Sequence, residues 1–441
     1  MSEVVETTYR GYFDLLDEIS PVRASGRVTK VVGLVIESAG PVVPIGEMCR
    51  ITPRSSGRSV LAEVIGFRDD RILLMPLGDM GGIDLGSTVT ATGEPFFISV
   101  GESLLGRVID GLGRPIDGKG PIRTTVRRPV HNAPPAPMAR KRIDSALPLG
   151  IRAIDGMLTC CKGQRLAILS GTGVGKSVLL GMIARNTKAD VSVIALVGER
   201  GREVQDFLER DLGKEGLSRS VVVVATSDQP ALIRLKAAMI ATTIAEYFRD
   251  EGADVILMMD SITRVATAQR EVGLAVGEPP TTRGYTPSVF AFLPRLLERA
   301  GHLEHGSITG LYAVLVEGDD IDEPISDAVR AILDGHIVLS RRLASLNHYP
   351  AVDILQSVSR VMIDVVPEEH LDVAKKVIEV LATYRESEDL INIGAYVRGS
   401  NPKVDRAIAM VDEVNTYLRQ GMYENAPYEE TVDKLFQLVS R

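Results

Sequence analysis

Short apolar runs recur through the middle of the chain, at 165–169, 191–197, 220–225, 254–259, 308–316 and 336–340. Between them lie stretches whose apolar residues follow helical spacing, at 177–186, 202–211, 230–249, 287–300 and 324–333. Runs of that length without polar alternation suit strands buried on both faces, and their alternation with helices predicts a mostly parallel sheet. Ligands of such a sheet bind at the carboxyl ends of its strands. Before this region the pattern differs. Val28–Ile36, Ser59–Ile65, Ile72–Leu77 and Thr88–Thr92 are short β-rich runs broken by Gly, Pro and Asp, which predicts a small barrel. Residues 94–150 are turn-rich and read as a connector. After residue 366, Leu371, Ala374, Val377, Ile378 and Leu381 fall at 3.6-residue spacing, and the rest of the chain reads as helical. Near the start, Val5, Tyr9, Tyr12, Phe13 and Leu16 share one helical face within residues 4–19. That segment is too short to be stable alone, so it packs on its own protein or docks a partner.

The division expected is therefore an N-terminal segment (1–24), a β-barrel (25–94), an α/β nucleotide-binding domain with its connector (95–366) and a C-terminal helical domain (367–441). Composition changes this picture little. The 441 residues are 45% hydrophobic and 24% charged, as in an ordinary soluble protein. No apolar stretch reaches the ~18 residues a membrane span needs, and the N-terminus lacks a signal-peptide pattern. The net charge of −8 argues against broad binding to nucleic acid or anionic membranes. Cys49, Cys160 and Cys161 have no metal-ligand spacing and read as reduced thiols.

The chemistry is carried by Ser170-Gly-Thr-Gly-Val-Gly-Lys-Ser177, set between the run ending at Leu169 and the helical run from Val178. A strand, a glycine-rich turn and a helix N-terminus make an anion cradle. Gly171, Gly173 and Gly175 let backbone N–H groups of the loop, which includes Thr172 and Val174, face phosphate oxygens. Lys176 reaches the β- and γ-phosphates, and the Ser177 hydroxyl ligates Mg²⁺. Position 170 departs from the usual pattern, which begins with Gly, but that glycine serves the entry turn. Val255-Ile-Leu-Met-Met-Asp260 ends an apolar strand in a carboxylate, placed to hold the metal's water beside Ser177. The strand 191–197 ends in Gly198-Glu199, where Glu199 can orient or deprotonate an attacking water. Arg360, in Gln356-Ser-Val-Ser-Arg360, is a candidate guanidinium for transition-state charge, far enough down the chain that it can serve the site of a neighbouring subunit. Three other signals fail. His302-Leu-Glu-His305 lacks zinc-protease spacing and reads as a polar helix end. Asp319–Glu323 lacks the glycine and distal glutamate of a calcium loop. No Gly-x-Ser-x-Gly elbow occurs.

Longer stretches carry a resemblance. They are 101–118 (GESLLGRVIDGLGRPIDG), Gly198-Glu-Arg-Gly-Arg-Glu203, Asp260-Ser-Ile-Thr-Arg264, 277–285 (GEPPTTRGY), 317–320, 333–341 and His348-Tyr-Pro-Ala-Val-Asp353. From about residue 25 onward the chain resembles the ATPases of type III protein export, the flagellar branch being expected and the virulence injectisome branch the alternative. These are similar to the subunits of rotary ATP synthases. The resemblance implies a RecA-like domain, a homohexameric ring with nucleotide sites at subunit interfaces, and ATP and Mg²⁺ as ligands. It implies Glu199 as catalytic base, Asp260 as the acidic end of the second motif and Arg360 as an arginine finger given in trans. Tyr349 matches the aromatic stacked on adenine, and Arg200 and Arg264 match supporting arginines. It further implies a dimeric stator-like regulator on the N-terminal segment and a coiled-coil stalk at the C-terminal domains. Export chaperones and substrates, and a gate at the inner membrane beside which the cytoplasmic ring works, complete the expected partners.

Because the chain carries both the loop with its base and the finger, a ring of identical copies can be catalytic. Two other readings stand beside this one. An RNA-dependent hexameric helicase would need aromatic stacking in its barrel, and residues 25–93 contain one aromatic residue, Phe67. A non-catalytic ring subunit would not need Lys176, Glu199 and Arg360 together.

Overall fold

The computed structural model describes residues 23–440 apart from 56, 57, 125, 317, 319 and 321. The amphipathic segment 4–19 lies outside the described residues. The chain divides into two compact units, one reaching to Phe96 and including Ala275–Gly277, the other holding the remainder.

The first unit is a closed barrel of six strands: β1 (Ser25–Val32), β2 (Val35–Ala39), β3 (Glu47–Thr52), β4 (Val60–Arg68), β5 (Arg71–Pro76) and β6 (Thr88–Pro95). They close in the order β1-β2-β5-β4-β3-β6, which leaves no strand edge open to a stray partner. The run Val28–Ile36 is two strands rather than one. Gly33 adopts φ +58 and turns the chain between them, a conformation that costs glycine little. Strand β3 lies in a stretch whose polar residues hide its alternation. Its inward residues Cys49 and Ile51 join Ile36, Val64, Leu74 and Val89 in the barrel core.

The second unit is built on a nine-stranded sheet. Its main strands are β7 (Arg107–Asp110), β8 (Arg165–Ser170), β9 (Val191–Val197), β10 (Ser220–Ala225), β11 (Asp254–Asp260), β12 (Ser307–Leu315) and β13 (Gly335–Leu339). They run parallel in the order β13-β8-β12-β11-β9-β10-β7. The connector thus contributes an edge strand, β7, paired with β10. Two short antiparallel additions complete the sheet: Gly301–His302 on β12 and Val358–Ser359 on β13. The first corrects the helix-end reading of residues 302–305. They form the turn of a short hairpin, in which Leu303 N–H donates to Gly306 O at 3.0 Å.

Helices α1 (Lys176–Asn186), α2 (Ala231–Asp250) and α3 (Ile262–Val276) include two of the expected helical stretches and one that the sequence reading omits. The omitted one, α3, buries Ile262, Val265, Ala266, Ala268 and Val272. Its apolar face is small-residue rich, which mutes the periodic signal. The stretch expected as one helix over 202–211 is Gly201–Asp206 followed by a wider π turn, Phe207–Leu212. Beyond residue 366 come α4 (Glu368–Asn392), α5 (Pro402–Leu418) and α6 (Tyr428–Val439). Their residues Val377, Val414 and Leu435 are fully buried in the same hydrophobic core as Leu180, Ile194 and Ile168. Each such side chain contributes about 1.5–3 kcal/mol of apolar burial, so the C-terminal helices are fastened to the sheet. All three cysteines are free and buried.

Candidate active site

Strand β8 delivers the chain into the glycine loop, and α1 begins directly at Lys176. Gly173 and Gly175 have φ of +80 and +99. Those left-handed conformations turn loop N–H groups inward, and the start of an eleven-residue helix adds its positive end. Two strands away, β11 ends at Asp260, and next to it β9 ends in Gly198 and Glu199. Side-chain volume is excluded at Gly198. A Cβ there would lie 2.8 Å from Arg264 Cβ, so glycine lets the β9 terminus close on α3.

The result is a compact charge cluster. Lys176 Nζ donates a short hydrogen bond to Asp260 and lies 3.6 Å from the Glu199 carboxylate. The Asp260 side chain is 3% exposed, and those of Lys176 and Glu199 are 11% and 15% exposed. Burial and the neighbouring Asp260 charge push the Glu199 carboxyl up to about 7, against the opposing pull of Lys176. A hydrogen bond with Glu203 adds to the rise, and the same bond holds Glu203 below the usual carboxylate range. Between the two carboxyl groups a proton therefore favours Glu199 over Glu203. A carboxylate poised near neutrality can accept a proton from water at working pH.

Tyr349 stands at the loop entrance, 42% exposed, its ring 3.5 Å from where a Cβ on Gly175 would sit. With Val178, Met182, Asn347 and residues 419–422 it lines a cavity of about 560 Å³. The lining is mostly apolar, as a heterocyclic base requires.

Arg200 and Arg360 do not join the cluster within one chain. Arg200 is 82% exposed and pairs with Glu203 at 3.5 Å. Arg264 is exposed on α3. Arg360 follows the strand Val358–Ser359, and its N–H donates to Asp334 O at 3.0 Å. Ser359 faces Gly335 at the start of β13, whereas Ser170 at the loop faces Leu339 at its end. Four residue intervals at ~3.3 Å each place Ser359 roughly 13 Å behind the phosphate loop along the strands, with the Arg360 backbone one residue beyond it. The sequence reading assigns no role to Glu203 or to the far wall of the cavity at 419–422. Glu203 is visible only as part of a motif, and no local pattern marks the wall, which lies some 240 residues from the loop it faces.

Comparison with known proteins agrees with this architecture. Residues 28–93 and 150–359 match the β-barrel and nucleotide-binding domains of the ATP synthase alpha/beta family. Residues 366–437 match the C-terminal domain of the type III secretion ATPase EscN. The chain is 56% identical over 426 residues to the flagellum-specific ATP synthase of Bacillus subtilis (strain 168), covering 96% of this chain and 97% of that one. It is 51% identical to the type 3 secretion system ATPase of Sinorhizobium fredii, covering 94% and 92%. The assembled ATPase EscN of enteropathogenic E. coli, solved in complex with its central stalk EscO, superposes with a TM-score of 0.87 at 48% identity, covering 94% of this chain and all of that one. With barrel, sheet and helical domain each matched and more than half its residues shared with a flagellar relative, the chain belongs to the type III export ATPase branch of the ATP synthase alpha/beta family.

Proposed function

We propose that this chain is the ATPase of a flagellar type III export apparatus, hydrolysing ATP as a ring of identical subunits. The observation that carries the reading is the split site. Lys176, Asp260 and Glu199 converge at one end of the sheet, while Ser359, the residue before Arg360, is held about 13 Å back along the strands. A site lacking its guanidinium, on a chain that offers one elsewhere, is completed by a neighbouring copy. The assembled state of EscN supports self-assembly, which we read as a homohexamer, and its complex with a central stalk supports a stalk partner, which we assign to the C-terminal helices. The flagellar branch is preferred over the injectisome because the Bacillus relative is 56% identical and the Sinorhizobium one 51%.

In the mechanism, the loop Gly171–Gly175 and Lys176 hold the triphosphate, and Tyr349 packs on the base. Glu199 orients a water and takes its proton. Arg360 from the adjacent subunit offsets charge on the transferring phosphoryl group, with Arg200 and Arg264 as outer cations. Ser177 and Asp260 offer the hard oxygen donors that Mg²⁺ prefers. Mg²⁺ held there would offset negative charge on the triphosphate. No described helix is long and apolar enough to cross a membrane. We place the ring in the cytoplasm, reaching the inner-membrane gate, its export substrates and chaperones, and a stator-like regulator through docking.

Two measurements test this. ATP turnover per subunit should rise with protein concentration and ignore single-stranded RNA. Turnover that needs RNA would favour a helicase, and none at any concentration a non-catalytic subunit. The second is pH dependence. Glu199 accepts a proton only when ionised, so kcat/KM should climb as pH rises through about 7 and level off above it. A flat profile between pH 5.5 and 8.5 would remove Glu199 as the base.

A further inference from the structure

The far wall of the base cavity is a strap, residues 419–422, running on from the end of α5. It contains no helix or strand and carries little apolar anchorage of its own, so its position depends on polar ties. Four bonds to residues 417–424 come from Arg152, which does not line the cavity. The Arg152 backbone N–H donates to Gln420 Oε1 at 2.9 Å. Its Nε donates to Tyr417 O at 2.9 Å. One terminal nitrogen donates to Arg419 O and the other to the Glu424 carboxylate, both through short hydrogen bonds. The Arg152 side chain is only 11% exposed, and its bonds to Gln420 and Tyr417 are partly buried, where a hydrogen bond matters more than at the surface.

Gln420 completes the clasp. Its N–H donates to Tyr349 O at 2.8 Å, joining the two walls of the cavity. Its amide nitrogen donates to Gly150 O and Glu424 O, each at 2.8 Å. With oxygen and nitrogen both engaged, the Gln420 amide is committed to the strap rather than to a ligand. Arg185 adds one bond, Nη2 to Met422 O at 2.6 Å.

We propose that Arg152 is a positioning residue for the nucleotide base: by clasping residues 417–424 it holds the wall opposite Tyr349 at stacking distance, without touching nucleotide. The inference rests on the nucleotide reading of the cavity given above. Arginine suits the task because its donors are spread over three nitrogens of a planar fork and so reach three acceptors set apart from one another, whereas an ammonium's three donors radiate from one nitrogen. The clasp also makes base affinity depend on α5, whose last turn supplies Tyr417 O.

The test compares ATP with inorganic tripolyphosphate, which engages the phosphate loop but has no base. Arg152→Ala should raise KM for ATP about tenfold with kcat within about twofold, a loss of uniform binding. The inhibition constant of tripolyphosphate should not move. Arg152→Lys keeps the charge but not the fork and should raise KM nearly as far. Glu424→Gln, which weakens one tie at a half-exposed position, should raise it about threefold. Should Arg152→Ala fail to fold, the other two variants read the same ratio. An unchanged ATP-to-tripolyphosphate ratio in folded variants, or wild-type KM in Arg152→Lys, overturns the proposal. Direct ATP binding replaces KM if the wild type proves inactive, so failure of the proposed function and failure of the clasp remain separate results.

Discussion

Arg360→Ala should abolish steady-state ATP turnover, by about 10³- to 10⁵-fold, while the chain stays folded and binds nucleotide. The size follows from the role of a guanidinium that meets charge only in the transition state. Stability should barely change. The side chain is exposed, its Nη1 donates to Leu333 O at 3.3 Å, and the backbone bond to Asp334 survives in alanine. Surface changes of this kind cost within about 0.5 kcal/mol. The sharper form of the experiment mixes two dead proteins. An Arg360→Ala subunit keeps its loop and base, and a Glu199→Gln subunit keeps its finger. In a randomly mixed ring about one interface in four joins an intact half of each kind, and turnover should return to that fraction of wild type. Mixtures that stay inactive, although both proteins enter one ring, would place the finger elsewhere.

The second large effect concerns Glu199. Glu199→Gln is nearly isosteric and keeps a hydrogen-bonding group toward Glu203, yet it cannot accept a proton. Turnover should fall by about 10²- to 10⁴-fold, the usual contribution of a positioned base. Nucleotide affinity should hold or rise, because the substitution removes a negative charge beside Lys176, where phosphates bind. Single-turnover hydrolysis and binding of a fluorescent ATP analogue separate the two quantities. A fall below tenfold, or a parallel loss of binding, would show Glu199 to be a structural partner of Lys176 instead.

What the sequence disclosed divides along a physical line. Strands β8 to β13 announce themselves because burial on both faces demands unbroken apolar runs, and Asp260 and Glu199 stand where such runs end. The glycine loop is legible because backbone conformation is written into residue type. Where a signal depends on partners, it vanishes. Strand β7 is four residues in a turn-rich connector and is a strand only because β10 lies beside it. Strand β3 looks polar because a barrel buries one face alone. Helix α3 packs through alanines and valines, a weak periodic mark. The cavity wall at 419–422 and Arg152 come together through tertiary contacts between residues 152 and 417–424, and no local spacing can encode them. Arg360 is intermediate. Its residue type invites a role, but only the register of β13 against β8 sets the residue before it back from the phosphate loop.

That register has a mechanical side. The strand bearing Arg360 is hydrogen-bonded to β13, β13 to β8, and β8 runs straight into the phosphate loop. A sheet transmits displacement along this path with little slack, since each link is a backbone bond rather than a mobile side chain. Whatever tilts β8 when its own loop is loaded must also tilt the guanidinium offered next door. Each subunit would then report the occupancy of its own site as a change in aim at its neighbour's, and the sequence of firing around a ring would be timed by the stiffness of three strands.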